Sequence, residues 1–425
     1  YVLPLGGGLG FAHCGSRTGP TLGVVCTYYS RDTSFCRFAQ RSNTKADGPM
    51  SAATSTALWV VPVPNFGGVA RHTLDMARAG IPGYELVVLA PAGVLTERLK
   101  ELGVRVIEAE FGPHAGFKRS FTSLLRAIED ETPAIVHSHL AYADVLAAAV
   151  VNSLKIRRAL NRSLVIPKLF TTEHGIAGDD SVYHGTSWRS KLMEQVHRVR
   201  LWGTDTAIAV SASTAEQMRR KWGARTVELV YNGVDIDAVR AQVDAYRVPA
   251  EPDAPRILSL SRLSPEKGID VLIDAFARLH EHYPKARLEI AGDGELSAAL
   301  REQAQRLNLG DSVTFSGFTD PYQAMGRSDM VVQLSVWENC SYTLLDAKSA
   351  GLKVVATAVG GNPEVVSARE LVERSSPNLT EQVFNRMHAL LLEGPSEQFT
   401  WPNNATMAQQ TAALYTNKLP RGGTR

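Results

Sequence analysis

Ile257-Leu258-Ser259-Leu260-Ser261-Arg262-Leu263-Ser264-Pro265-Glu266-Lys267-Gly268-Ile269 reads as a strand, a loop and the start of a helix. The first four residues are apolar enough for a short buried strand. Ser, Pro and Gly in the next eight punctuate a loop. From residue 269 to residue 282 apolar side chains recur at helical spacing. A buried strand followed by a covering helix is one unit of a parallel sheet. The loop lies at the carboxyl end of the strand, where open α/β sheets bind ligands, and it holds two cations, Arg262 and Lys267.

The same unit repeats in both directions. Towards the C-terminus, strands are expected at 287–291, 313–316, 330–334 and 354–357, with helices at 296–307, 321–326 and 343–350. Towards the N-terminus, strands are expected at 58–63, 85–90, 104–109, 134–138, 168–172, 207–210 and 227–230. The helices between them are expected at 68–79, 94–102, 120–130, 142–154, 188–202 and 212–222. Residues 234–255 are weakly patterned and carry Pro249, Pro252 and Pro255, so they read as a linker. The expected fold class is therefore α/β, with two Rossmann-like domains at 50–233 and 256–400 facing each other across a cleft. A helix within 401–425 is expected to return to the first domain. Residues 1–49 show no sustained period and are read as disordered or as an upstream extension. Leu5-Gly6-Gly7-Gly8-Leu9-Gly10 has no strand before it and no helix after it, so it is not read as a phosphate loop. No charged segment heads an apolar run, so no signal peptide is expected.

Composition narrows the classes. A length of 425 residues exceeds what one hydrophobic core usually organises, which agrees with two domains. The formal charge of +2 and the lack of a basic block give no reason to expect a nucleic-acid partner. Four cysteines without a C-x-x-C pair exclude a disulfide scaffold and a common zinc motif, and point to reduced thiols in a cytoplasmic protein. No apolar run is long enough to cross a bilayer. The helix at 188–202 is basic and partly amphipathic. It reads first as a core-packing helix with a solvated basic face, and second as a peripheral contact with an anionic membrane, the inner face of the plasma membrane.

Several motifs fall at expected strand ends. Asn65-Phe66-Gly67-Gly68 opens a helix and reads equally as a ligand loop and as a tight turn. Arg262 and Lys267 suit a diphosphate, one as a bidentate clamp and one as a point charge. Gly292 and Asp293, in Ala291-Gly292-Asp293-Gly294-Glu295, suit a ligand edge or a structural turn. Ser335-Val336-Trp337-Glu338-Asn339-Cys340-Ser341-Tyr342-Thr343-Leu344-Leu345-Asp346 is the most specific signal. Eight helical residues span ~12 Å, too far for Glu338 and Asp346 to share a proton. The spacing suits two ends of an extended nucleotide sugar, with Glu338 accepting sugar hydroxyls, Asp346 accepting ribose hydroxyls, and a helix N-terminus facing the diphosphate. Glu364 either points into the cleft or caps a helix. His139 and His174 close two first-domain strands, where each either reaches a reacting sugar or phosphate or sits satisfied in a turn. Two histidines fall short of a metal-ligand set, so no metal is assigned.

In this order the pieces resemble the family 4 retaining glycosyltransferases of the GT-B fold, from about residue 58 to residue 364 and on towards residue 415. Glu338 to Asp346 resembles that family's E-x7-E motif, and Arg262 with Lys267 its diphosphate-binding pair. Tyr231-Asn232-Gly233-Val234-Asp235 resembles its N-G-V-D turn, Gly67-Gly68 its glycine loop, His139 its sugar-proximal histidine, and Phe399-Thr400-Trp401 the start of its closing segment. Two features depart from the pattern: the second acid is Asp346 rather than Glu, and Asn339 and Ser341 replace interior glycines. The resemblance implies sugar transfer from a nucleoside diphosphate sugar with retention of configuration, without metal or cofactor. It implies catalytic roles for Glu338, His139, Lys267 and Arg262. Donor contacts are implied from Gly67, Gly68, Gly292, Asp293, Asn339, Cys340, Ser341 and Asp346. The implied acceptor is a glycan or lipid-linked glycan of bacterial polysaccharide or cell-envelope synthesis. The alternatives are another GT-B enzyme, such as an epimerase, and a non-catalytic nucleotide-sugar binding protein.

Overall fold

The computed structural model of the chain describes residues 54–65, 67–175, 188–394 and 397–416. The expectation for residues 1–49 lies outside these described residues. The first series of elements runs β1 (Ser55–Val60), α1 (Gly68–Ala79), β2 (Tyr84–Ala90), α2 (Val94–Glu101), β3 (Arg105–Glu108), α3 (Phe117–Glu131) and β4 (Ile135–His139). It continues with α4 (Ala141–Leu160), β5 (Lys168–Glu173), α5 (Trp188–Trp202), β6 (Thr206–Ala209), α6 (Ala212–Trp222) and β7 (Val227–Leu229). After α7 (Ile236–Asp244) come β8 (Arg256–Leu260), α8 (Ile269–His282), β9 (Arg287–Ala291), α9 (Ser297–Arg306), β10 (Val313–Gly317), α10 (Pro321–Gly326) and β11 (Met330–Gln333). The chain closes with α11 (Tyr342–Ser349), β12 (Lys353–Thr357), α12 (Asn362–Val365), β13 (Leu371–Val372), α13 (Leu379–Leu392) and α14 (Asn404–Tyr415).

The strands form a seven-stranded sheet ordered β3-β2-β1-β4-β5-β6-β7 and a six-stranded sheet ordered β10-β9-β8-β11-β12-β13. Every pairing is parallel, as expected when helices cover both faces. These are two Rossmann-like halves. In each, the strand order reverses at one point, between β1 and β4 and between β8 and β11. Such a reversal opens a crevice beyond the carboxyl ends of the two strands. The first sheet packs through Trp59, Val88 and Phe170 on one face and Leu58, Val136 and Leu169 on the other. Ile257, Leu288 and Val332 do the same on one face of the second sheet, with Leu258, Val331 and Val354 on its opposite face.

Differences from the sequence reading have local causes. β1 ends at Val60 because Pro62 and Pro64 follow and lack the amides a ladder needs. α4 runs on to Leu160 through Lys155-Ile156-Arg157-Arg158-Ala159, residues with good helix propensity whose solvent exposure hides the amphipathic signal. The stretch read as a linker holds α7, whose Val239 and Val243 pack into the second half's core with Ala324 and Leu344. β13 is two residues long, too short to show a period. α14 lies in the first half's core, where Met407 and Tyr415 pack with Trp59 and Leu74. Among the described residues, no helix is long and apolar enough to cross a membrane.

Candidate active site at the interdomain cleft

Lys267 follows β8 and Glu338 follows β11, so topology brings both to the reversal point of the second sheet. Lys267 Nζ donates to Glu338 Oε1 at 2.6 Å. Gln333 Nε2 and Ser335 Oγ donate to the same oxygen, each at 2.7 Å. Three donors thus fix one oxygen, and none of these contacts takes Oε2. The Lys267 and Glu338 side chains keep 19% and 17% of their surface exposed, so a ligand can reach an oriented carboxylate and its cation. The β12 loop braces this motif from behind. Gly361 N donates to the Glu338 carbonyl at 3.1 Å. A Cβ at Gly360 would fall 1.7 Å from that same carbonyl oxygen, so no other residue fits.

Arg262 extends into solvent with 72% of its side chain exposed, its Nη2 3.5 Å from Glu266 Oε1. It is free to swing onto an anion. Its loop is pinned by the turn after β9, where the Asp293 carbonyl accepts from Leu263 N at 2.9 Å. Gly292 has φ +135, and a Cβ there would meet the Ser261 carbonyl oxygen at 1.9 Å. Of the two readings of Gly292 and Asp293, a ligand edge or a structural turn, these contacts describe the turn.

The side chains inside the motif also serve structure. Asn339 Oδ1 accepts from Thr214 Oγ1 of the first half at 2.7 Å. Ser341 Oγ caps α11 by accepting from Leu344 N at 3.4 Å, and donates to Gln333 Oε1 at 2.9 Å. Cys340 packs into the second half's core, and burial pushes its thiol up to about 12. Asp346, read from the sequence as an acceptor for ribose hydroxyls, is 3% exposed, and both of its oxygens accept from Arg71 of α1, Oδ2 from Nη1 at 2.7 Å and Oδ1 from Nη2 at 3.0 Å. Glu364 caps a helix, though not its own. It accepts from Ala212 N and Ser213 N of α6 at 2.8 and 3.0 Å, tying the two halves together.

The first half contributes its own reversal point. Gly67 is the N-cap of α1, and among the described residues no side chain caps the amides behind it and a Cβ at Gly67 or Gly68 would meet nothing within 4 Å. Uncapped amides at a helix start, with open space before them, suit an anionic group. Beside them lies a histidine cluster. His72 Nδ1 pairs with Asn232 Oδ1 at 3.0 Å. Asn232 Nδ2 donates to the Cys340 carbonyl at 3.2 Å, so Oδ1 is the acceptor and the His72 proton sits on Nδ1. His137 is held on both sides, by Tyr415 Oη at 2.6 Å and Thr172 Oγ1 at 2.7 Å. His139 Nδ1 pairs with His174 Nε2 at 2.9 Å, and His139 Nε2 is buried with no hydrogen-bond partner among the described residues. Burial pushes His72 down to about 4, and pushes His137, His139 and His174 well below the ordinary value. All four are neutral at physiological pH. Among the described residues, one ring nitrogen from each of His72, His139 and His174 lies within 4.8 Å of the others, a set able to hold a metal ion. Sequence spacing showed only two of the three, because His72 comes from a different βα unit.

Two groups escaped the sequence reading. Arg71 and His72 follow the glycine loop by three and four positions, and the visible signal was polar residues on the buried face of α1. Arg200, read within a basic helix, is instead fully engaged. It pairs with Asp144 at 2.6 Å and Glu173 at 2.7 Å while nearly sealed from solvent. Burial pushes Glu173 up to about 7 against the pull of Arg200. This triad underlies His174 and rigidifies the end of β5.

Comparison with known proteins agrees with this arrangement. The model of Glycosyltransferase Family 4 matches residues 66–238, and that of Glycosyl transferases group 1 matches residues 245–405. The chain is 28% identical over 347 residues to glycogen synthase of Mycobacterium tuberculosis, covering 72% of this chain and 78% of that protein. It is 38% identical over 320 residues to the phosphatidylinositol N-acetylglucosaminyltransferase gpi3 subunit of Schizosaccharomyces pombe, covering 71% of this chain and 65% of that protein. The crystal structure of Anabaena HepE in complex with UDP-glucose shares the fold at 20% identity, with a TM-score of 0.63 over 85% of this chain and 95% of that one. With two matching models in tandem over two Rossmann-like halves, the chain belongs to the family 4 glycosyltransferases of the GT-B fold.

Proposed function

We propose that this glycosyltransferase moves a sugar from a nucleoside diphosphate sugar to a glycan or lipid-linked acceptor, with retention of configuration and without a metal. The observation that carries the reading is the Lys267–Glu338 pair at the reversal point of the second sheet, with one Glu338 oxygen fixed by three donors. Glu338 holds sugar hydroxyls through its remaining oxygen. Lys267, joined by the exposed guanidinium of Arg262, neutralises the departing diphosphate, where charge builds up in the transition state. The uncapped start of α1 meets the same diphosphate from the other half. His139 is neutral, so its unpartnered Nε2 serves as a hydrogen-bonding group to the sugar and not as a cation. Among these groups no carboxylate is placed as a nucleophile. The leaving phosphate then takes the acceptor's proton on the face from which it departs, which preserves the anomeric configuration.

Assembly of polysaccharide or cell-envelope glycan, in bacteria or elsewhere, is the setting that suits such an acceptor. A lipid-linked acceptor brings the enzyme to a membrane face. Val199 and Trp202 of α5, 61% and 80% exposed beside Arg198, support a peripheral contact there. The test is a melting-temperature panel with UDP, GDP, ADP and their sugars, since a ligand bound only by the folded state raises stability. Sugar transfer is then assayed with the best donor. A stabilising donor and activity lost in Glu338→Ala are expected. A protein stabilised by none of these nucleotides would end the reading.

A further inference from the structure

Asp346 carries the sharpest departure from a simple donor site, because its carboxylate is completed by the opposite half of the molecule. Arg71 grips it through both terminal nitrogens, at 2.7 and 3.0 Å. Arg71 is itself locked. Its Nε donates to Asp75 Oδ2 at 2.9 Å, Asp75 also takes Arg78 at 3.0 Å, and the guanidinium lies 4.8 Å over the Tyr342 ring. A two-pronged grip uses one lone pair on each carboxylate oxygen and leaves one on each. That remainder matches the two adjacent hydroxyls of a ribose.

We infer that Arg71 is the positioning residue for the nucleoside end of the donor: it orients the Asp346 carboxylate towards the ribose hydroxyls from across the cleft, so the ribose is read in full only when the two halves are closed. The inference rests on the nucleoside diphosphate sugar reading above. Three features support it. Asp346 is one methylene shorter than the Glu expected at this place, so its direction depends on an outside support, and a planar guanidinium fork supplies direction where a point charge does not. An unaccompanied carboxylate this deeply buried is strongly disfavoured, so Arg71 also keeps an acceptor available there. Finally, Arg71 lies in the first turn of α1, whose amino end the donor reading sets against the diphosphate, so one rigid element would serve two parts of the same donor.

The experiment is equilibrium binding of UDP, ADP and GDP, each beside its 2′-deoxy counterpart, to wild type, Arg71→Ala and Arg71→Lys. Wild type is expected to prefer its best ribonucleotide by about tenfold or more, the scale of a hydrogen bond to a charged group. Arg71→Ala is expected to bind that ribonucleotide about tenfold more weakly and to bind the deoxy form within about threefold of wild type, so the preference collapses. Arg71→Lys restores charge without the fork and is expected to fall between the two. It also decides the matter if Arg71→Ala does not fold. An undiminished ribose preference in the variants would overturn the inference, as would tighter ribonucleotide binding in Arg71→Ala, which would make Arg71 a competitor for Asp346. Loss of the preference with an unchanged acceptor KM separates positioning from general damage to the cleft. Wild type that binds none of the three nucleotides would bring down the donor reading itself, a distinct result.

Discussion

Replacing Lys267 with Met removes a charge while keeping the side-chain stem, and the structure sets the size of the effect. Glu338 keeps two of its three donors, Gln333 and Ser335, each at 2.7 Å, so the carboxylate stays in place. The lost ion pair is partly solvated, with about a fifth of each side chain exposed, so stability should change by no more than about 1 kcal/mol. The loss falls on the departing diphosphate. Arg262 and the uncapped start of α1 remain, and the solvent exposure of Arg262 weakens what it can supply. Removing one preorganised group from a site of developing charge costs about 10²–10³ in kcat, roughly 3–4 kcal/mol. The assay is release of nucleoside diphosphate from the stabilising donor, with kcat and KM measured separately and melting followed in parallel. Combined with Glu338→Gln, the total loss should be smaller than the two single losses predict, because touching residues act as a unit. A kcat within about threefold of wild type, in a protein that melts normally, would refute the role assigned to Lys267.

His72 gives a pH signature. Its folded state keeps the ring neutral down to about 4, while the unfolded chain takes a proton below about 6.5. Its contribution is therefore complete above pH 6.5 and fades as pH falls towards 4. Between those limits wild type should lose roughly 3 kcal/mol more than His72→Gln, read as the gap between two denaturation series; parallel series would contradict the burial account. Glu364→Ala leaves the Ser211 cap of α6 but removes the acceptor of Ala212 N and Ser213 N, about 1 kcal/mol, and should expand the protein in solution scattering by loosening the halves; an unchanged profile would show that the other cross-links suffice. Exhaustive chelation should leave the transfer rate unchanged, and stoichiometric zinc that disappears in His174→Ala would overturn the metal-free reading. Flotation with anionic vesicles should weaken in Trp202→Ser, and no flotation of wild type at low salt would remove the membrane contact.

Much of the architecture was legible because its signals are local. The spacing of Val69, Ala70, Leu74 and Ala77 gives α1 its limits, and Lys267 and Glu338 each declare themselves beside a strand end. The rest is written between distant positions. Arg71 and Asp346 are 275 residues apart, and His137 and Tyr415 are 278 apart. Nothing near either member announces its partner. Arg200 misled for a related reason: a cation in a basic helix reads as solvated until the fold brings Asp144 and Glu173 to it. Gly292 read equally as a ligand-edge and a turn glycine because steric need is the same whether a substrate or a neighbouring carbonyl fills the space.

Tyr415 touches Trp59 and His137, 356 and 278 residues earlier in the chain. The first Rossmann half therefore lacks a wall until the last helix has been synthesised. On a ribosome, that half must wait, partly assembled, while the second is translated and folds. Dissecting the enzyme at residue 233 should give an N-terminal fragment that aggregates, and grafting residues 404–416 back onto that fragment should rescue it.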